Sequence, residues 1–279
     1  MKKTFVTYGD DNYRESLERI GREARATGVF DSVRLYTPAD LPEPFASYTR
    51  AYPRGGGYWL WKPFVIVSEL DRAAEGDIVV YADAGCTLMP HADWQRYFDA
   101  VDGREELFFL AEGKSAKWCK KEVFDYFGTR RDAWKNASQV QATFIIARKS
   151  GRNEVLRRWY DLAVAHPELF VDAAAGSEQH PRFREHRHDQ CVFNVCLYRC
   201  RDQVRIRWEN VERIALFGRQ AFLASRHAGG QAVFASRISN GQVRGNGRVK
   251  GRLAGWLERL LVNPLKVASA RLLFALSRG

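Results

Sequence analysis

A chain of 279 residues, 46% of them hydrophobic, can bury one large core and is too apolar to be disordered. The formal charge is +11, and residues 241–279, with eight Lys or Arg against one Glu, hold +7 of it. The basic bias therefore belongs to the C-terminal end, where it interleaves with aliphatic side chains, and no nucleic-acid-reading motif accompanies it.

Residues 3–8 read as a first strand, 12–27 as an amphipathic helix with Tyr13, Leu17, Ile20 and Ala24 at helical spacing, and 32–36 as a second strand, which makes a βαβ beginning. The intervening loop, Tyr8-Gly9-Asp10-Asp11-Asn12-Tyr13, offers Asn12 or Asp11 as a helix cap or as a ligand contact. In Arg54-Gly-Gly-Gly-Tyr58-Trp-Leu-Trp61-Lys62-Pro63 three glycines predict a pliable loop, and Pro63 suits the first turn of a helix over 62–73. Lys62 is thus placed beside a helix start among aromatics, as a phosphate-contacting cation or as a solvated lysine on a tryptophan-anchored loop.

An apolar run over 77–82 predicts a buried central strand ending at Asp83, followed by Ala84, Gly85 and Cys86. Open α/β sheets take their ligands at this edge, and Gly85 lets a phosphate-bearing molecule approach the backbone. Asp83 is then a metal or sugar-hydroxyl ligand, or else a turn cap. A helix over 91–100, a strand over 106–110, short helical pieces over 117–135, a strand over 139–147 and a helix over 152–165 follow. Gln139 and Gln141, polar at the start of an apolar strand, can bond sugar hydroxyls or finish a sheet edge. Trp118 and Trp134 suit a saccharide platform or the core. Residues 166–187 have no period and read as a long loop with one short helix, a length common in active-site or acceptor-binding elements. His186-Arg187-His188-Asp189-Gln190 then leads into a helix whose buried face is Val192, Phe193, Val195, Cys196, Leu197 and Cys200. Neither Gly-x-Gly-x-x-Gly nor a Walker motif occurs, which argues against dinucleotide and P-loop chemistry.

The order Tyr-Gly-Asp-Asp-Asn-Tyr, Gly-Tyr-Trp-Leu-Trp-Lys-Pro, Asp-Ala-Gly-Cys and His-Arg-His-Asp-Gln, over residues 3–210, resembles bacterial glycosyltransferases of the GT-A fold from capsule, lipopolysaccharide and other surface-glycan loci. The resemblance implies an α/β, Rossmann-like GT-A sheet and a nucleotide-sugar donor, with a UDP-hexose favoured. It puts Thr7, Tyr8 and Gly9 at the base or ribose, the segment of Gln139 and Gln141 beside the sugar and Asp83 with Gly85 at the strand-end acidic motif, while the charge on a departing diphosphate makes Lys62 and Arg187 candidate cations. That motif departs from the usual Asp-X-Asp, because Gly85 stands where the second carboxylate would be. A divalent metal, Mn²⁺ or Mg²⁺, is expected on Asp83 with His188 or Asp189 as partner. Asp189 is otherwise the base of an inverting reaction, while the Asp189-Gln190 pair is similar to retaining enzymes and tips the expectation towards retention. A saccharide-binding module without catalysis is the alternative.

The expected division is a catalytic domain over 1–240 and a basic linker with an amphipathic helical tail over 241–279. Trp256 with Arg252, Arg259, Lys266 and Arg271 on an apolar background reads as an interfacial anchor on an anionic membrane, or as helices packed on the core. The acceptor is then a glycan or a lipid-linked saccharide. The opening Met-Lys-Lys stretch is too short for a signal-peptide core and no run spans a bilayer, so the expected place is the cytoplasm, at the inner face of the membrane. The five cysteines, odd in number and without Cys-x-x-Cys spacing, are expected to be reduced thiols.

Overall fold

Short β-branched and aromatic runs alternate with helical stretches, and the chain folds accordingly. In the computed structural model, residues 1–102, 105–128, 135–136, 138–199, 232–234, 236, 238–240 and 242–243 are described, with isolated positions 265, 268 and 272. Chain order is β1 (Lys3–Tyr8), α1 (Arg14–Ala26), β2 (Ser32–Tyr36), α2 (Glu43–Ala51), a single turn α3 (Gly55–Tyr58) and α4 (Trp61–Arg72). Then come β3 (Ile78–Ala82), β4 (Thr87–Leu88), α5 (Asp93–Val101), β5 (Glu106–Lys114), α6 (Ser115–Trp118), α7 (Lys121–Tyr126) and β6 (Ser138–Arg148). Two longer helices, α8 (Glu154–Ala165) and α9 (His188–Arg199), precede the short strands β7 (Val233–Phe234), β8 (Ile238–Ser239) and β9 (Gln242–Val243).

The main sheet has the order β2-β1-β3-β6-β5. β1 pairs in parallel with β2 and β3, whereas β6 runs antiparallel to both β3 and β5. Both faces are covered, which is why the strands read as continuous apolar runs. Val6, Tyr81, Ile145, Trp159 and Phe193 pack on one face. Phe5, Val80, Trp94 and Phe144 pack on the other.

Several local expectations are corrected. Asp10, rather than Asp11 or Asn12, is the cap of the first helical stretch, accepting from the Asn12 backbone N–H at 3.0 Å. α2 has no counterpart in the sequence reading, since prolines at positions 42, 44 and 53 disguise it. α9 is buried nearly all round, from His188 and Asp189 through Cys191–Tyr198, instead of on one face. Asn194 explains how a polar residue enters that core: its amide accepts from Val140 N–H and donates to Val140 O, both at 2.7 Å, standing in for a neighbouring strand. The loop 166–187 has its short helix, a 3-10 turn over Pro167–Leu169.

The chain beyond α9 returns to the sheet edge. β7 pairs antiparallel with β4, Ile238 N–H donates to Gly85 O at 3.0 Å, and Ser236 Oγ donates to the same carbonyl at 2.9 Å. Ser16 Oγ donates to Ile238 O and Ser239 Oγ to Asn12 O, each at 3.0 Å, so the β8–β9 hairpin lies on the first loop and α1. Most of the basic tail, like Trp134 and Cys200, lies outside the described residues. No helix among the described residues is long and apolar enough to cross a membrane.

One buried acid weakens this core at high pH. Glu106, 2% exposed on β5, accepts from Asn153 Nδ2 at 3.3 Å through Oε1, while Oε2 has no hydrogen-bond partner among the described residues. Burial pushes its carboxyl up from 4.5 to about 8. A carboxyl raised in the folded state holds its proton when the unfolded chain has lost it, so stability falls as pH rises from about 4.5 to about 8. Glu106→Gln is therefore expected to raise stability at pH 9 by a few kcal/mol, at about 1.36 kcal/mol per unit, and to change little at pH 4.5. Urea melts at the two pH values check this, and a variant equally stable or weaker at pH 9 refutes it.

Candidate active site

β1 and β3 lie side by side and parallel, so their C-terminal ends deliver Tyr8-Gly9-Asp10 and Asp83-Ala84-Gly85-Cys86 to the same edge of the sheet. A cleft of about 560 Å³ opens between these two loops, with Arg54, Gly55, Gly56, Trp59 and Trp61 on its other wall. That wall is not a pliable loop. Gly55 to Trp59 are all left-handed, with φ of 59°, 53°, 87°, 57° and 57°. A Cβ on Gly57 would stand 2.7 Å from the Tyr48 carbonyl carbon, so no side chain fits there and the turn seats directly on α2.

Behind the cleft, three charges from distant parts of the sequence meet. Lys62 Nζ, on the first turn of α4, lies 3.0 Å from Asp83 Oδ1 and 2.7 Å from Asp189 Oδ2. Tyr81 OH also donates to Asp83 Oδ1, at 2.6 Å. The Lys62 and Asp189 side chains are 3% and 8% exposed, whereas Asp83 is 31% exposed and is the member that faces the cleft. Burial pushes Asp189 up to about 6 against the pull of Lys62, with Asp83 adding to the rise. Burial also opposes the charge on Lys62, but the two carboxylates outweigh it and hold the ammonium protonated. The lysine is a counter-ion shared by two acids.

Unsatisfied polar atoms collect around the same edge. Gln141 is 0% exposed and neither its Oε1 nor its Nε2 has a hydrogen-bond partner among the described residues. It lies on β6 two residues past Gln139, which accepts from Gln190 Nε2 at 2.6 Å, and two before Thr143, which borders the cleft, next to a break in the β5–β6 register. Thr7 Oγ1 and Tyr8 OH are likewise buried without hydrogen-bond partners among the described residues. Tyr8 stacks on Trp61 with ring centroids 3.8 Å apart. Buried polar groups left open in a native fold call for a water or a ligand.

The remaining sequence candidates sit around this centre. His188 has φ of 39°, its Nδ1 lies 2.8 Å from Phe170 O, and its ring stacks on the cleft residue Trp59 and meets Tyr58 at a tilt. Burial and the neighbouring His186 push it down to about 4, so it is neutral near pH 7. Its Nε2 lies 3.7 Å from Asp172 Oδ1. Asp172 also accepts from Tyr58 OH at 3.0 Å and from Arg54 at 3.2 Å, tying the long loop to the glycine turn. Arg187 lays its guanidinium on the Trp118 ring, 3.8 Å from the centroid, and both stand apart from the residues that border the cleft. Tyr8, Gly9, Asp83 and Gly85 border it directly; Lys62 and Asp189 back it. Tyr81, Arg54 and Asp172 escape the sequence reading, and only Arg54 carries a signal, its place ahead of three glycines.

No protein-family model matches the chain, and no curated protein does. Solved structures do. A glycosyltransferase involved in glycosylation of the major capsid of PBCV-1 aligns at 9% identity and a TM-score of 0.43, over 84% of this chain and 92% of its own. The glycosyltransferase GlyE of Streptococcus pneumoniae TIGR4 aligns at 14% identity and 0.43, over 96% of this chain, which spans 63% of the GlyE chain. The galactosyltransferase LgtC, solved with donor and acceptor sugar analogues, aligns at 14% identity and 0.40, over 95% of both chains. At such TM-scores the chemistry rests on the site itself.

Proposed function

We propose that the protein is a glycosyltransferase that takes a sugar from a nucleotide-sugar donor, a UDP-hexose by preference, to a glycan or lipid-linked acceptor. The observation that carries this reading is the cleft between the β1 and β3 ends, with the half-exposed Asp83 at its edge and the open Gln141 amide on the adjoining strand. In it the nucleotide lies against Tyr8-Gly9-Asp10, the diphosphate reaches the backbone at Gly85 where no side chain intervenes, and the sugar lies towards Thr143 on β6, two residues from the buried Gln141. A surface-glycan role follows the sequence resemblance alone.

Asp83 Oδ1 is occupied by Tyr81 and Lys62, but Oδ2 has no hydrogen-bond partner among the described residues. One carboxylate oxygen suits an ion that takes its other ligands from substrate phosphates, as Mg²⁺ commonly does. Asp83 would hold Mn²⁺ or Mg²⁺ in that way, and the ion would neutralise charge on the departing diphosphate. His188, with Nδ1 fixed on Phe170 O and no hydrogen-bond partner on Nε2 among the described residues, stays a second candidate ligand, set back from the cleft that Asp83 borders. Lys62 acts at one remove, fixing Asp83 and Asp189. Asp189, 6% exposed and paired with that lysine, is poorly placed to deprotonate an acceptor, which favours retention of configuration.

Incubation with UDP-, GDP- and CMP-sugars, with and without Mn²⁺ or Mg²⁺, tests the reading through nucleotide release, and NMR of the product gives the anomer. Release from none of them sinks the transferase. Saccharide binding without release supports the module alternative, which Gly85 in place of a second carboxylate favours. An inverted product removes the retaining assignment only.

The basic tail is proposed to hold the enzyme on anionic lipid at the inner membrane face, supported by its composition alone. A chain ending at residue 249 is expected to lose sedimentation with anionic vesicles at low salt while keeping its melt. Equal sedimentation of both chains refutes the anchor.

A further inference from the structure

Away from the cleft, the fold assembles a second set of groups that the transfer reaction does not use. Cys119 follows α6, His186 precedes α9 and Cys191 lies in the first turns of α9, yet their ligand atoms all lie within 4.8 Å of one another. All three residues are buried, at 1%, 2% and 0% exposure. We propose that Cys119, His186 and Cys191 form a buried site for a thiophilic d¹⁰ ion, zinc(II) or copper(I), distinct from the cation expected at Asp83.

The chemistry of the surroundings fits this use. Sulfur and imidazole ligands at about 2.3 Å and 2.0 Å from an ion stand roughly 3.5–4 Å apart, so the cluster closes on a metal with sub-ångström adjustments. His186 is already set for ligation. Its Nε2 lies 2.9 Å from Leu169 O, and because a carbonyl only accepts, that nitrogen carries the proton. Nδ1 is then the lone-pair nitrogen, and its one backbone donor, Lys120 N–H, is distant at 3.3 Å. A ligating histidine ordinarily has its other nitrogen fixed in this way. Gln139 Nε2 points at Cys191 Sγ from 3.5 Å, a donor suited to a thiolate. Cys191 Sγ donates to Trp118 O at 2.6 Å in the metal-free arrangement. On binding, the two thiols release their protons to solvent, the neutral imidazole releases none, and no redox change is involved. With two thiolates and one neutral nitrogen, a soft ion is preferred over Mg²⁺ or Mn²⁺.

The site clamps the segment that carries Asp189, the acid behind the cleft. His186 and Cys191 flank Asp189, and Cys119 anchors them to the turn after α6. An ion there fixes the direction in which Asp189 meets Lys62, without contact with the donor.

The full chain is expressed in zinc-supplemented and in copper-supplemented medium, dialysed, and its metal measured by mass spectrometry. About one equivalent per chain is expected to survive in one of the two, falling at least 10-fold in Cys119→Ser and Cys191→Ser but not in Cys196→Ala. Cobalt(II) added to the metal-free chain is expected to give a thiolate charge-transfer band in the near ultraviolet that Cys191→Ser lacks. Wild-type stoichiometry and the cobalt spectrum decide the matter if the serine variants do not fold. Less than about a tenth of an equivalent in both media with no cobalt band overturns the site. So does metal retained undiminished in both serine variants, or a Cys119–Cys191 disulfide in anaerobically isolated protein.

Discussion

Asp83→Asn is expected to slow turnover of the nucleotide-sugar donor by roughly 10²–10³-fold while leaving the melting temperature nearly unchanged. Asparagine keeps an oxygen for Tyr81 OH, now 2.6 Å from the carboxylate, and keeps the shape of the strand end. What it removes is the charge that, on the proposed reading, the donor's cation and diphosphate would meet. Stability should tolerate the change because Asp83 is 31% exposed and Lys62 retains Asp189 at 2.7 Å. Donor hydrolysis measured beside a thermal melt separates the two effects. Wild-type turnover by a folded Asp83→Asn protein would show that the cleft does not work through this carboxylate.

The larger effect on stability belongs to the lysine. Lys62→Met is expected to lower unfolding free energy by about 3–5 kcal/mol near pH 8, because it strands a buried carboxylate beside a second one. Asp189 is already pushed up from 3.8 to about 6 with the lysine in place. A raised carboxyl loses stability as pH climbs through the interval between its unfolded and folded values, here from about 3.8 to about 6. Without the ammonium the folded value moves higher, so the loss continues above pH 6 and the variant is expected to recover much of its stability at pH 5. Denaturant titrations at pH 5 and pH 8 read this directly. An equal loss at both values would mean that the lysine contributes packing rather than charge.

How far these features can be read from the sequence depends on how local their causes are. β1, α1 and β2 occupy Lys3–Tyr8, Arg14–Ala26 and Ser32–Tyr36, close to the bounds set by hydrophobic period alone, because each buries a face that its own residues define. Asp83 is legible for the same reason: an apolar run that stops at an acid beside small residues marks a strand end. Lys62 is visible as a cation near aromatics, but its partners are 21 and 127 positions away, and nothing in its neighbourhood encodes them. Its role inverts in consequence, from a cation awaiting phosphate to one already shared by two acids. Cys119, His186 and Cys191 are hidden in the same way, since the only spacing a sequence displays is along the chain. The glycine run shows where unusual backbone occurs, but not that five successive left-handed residues give it one fixed course.

The return of Val233–Phe234, Ser236 and Ile238 to the loop after Asp83 has a consequence for the order in which the molecule is made. β1, β3 and Lys62 leave the ribosome early, and the sheet edge with Asp83 can form while the rest of the chain is still being synthesised. Yet the Gly85 carbonyl receives its donors from Ser236 and Ile238, and β4 its pairing strand from Val233–Phe234, only much later. During that interval the acidic loop is shaped but unbraced. The loop after Asp83 therefore reaches its full hydrogen bonding only once Val233–Phe234, Ser236 and Ile238 have been made.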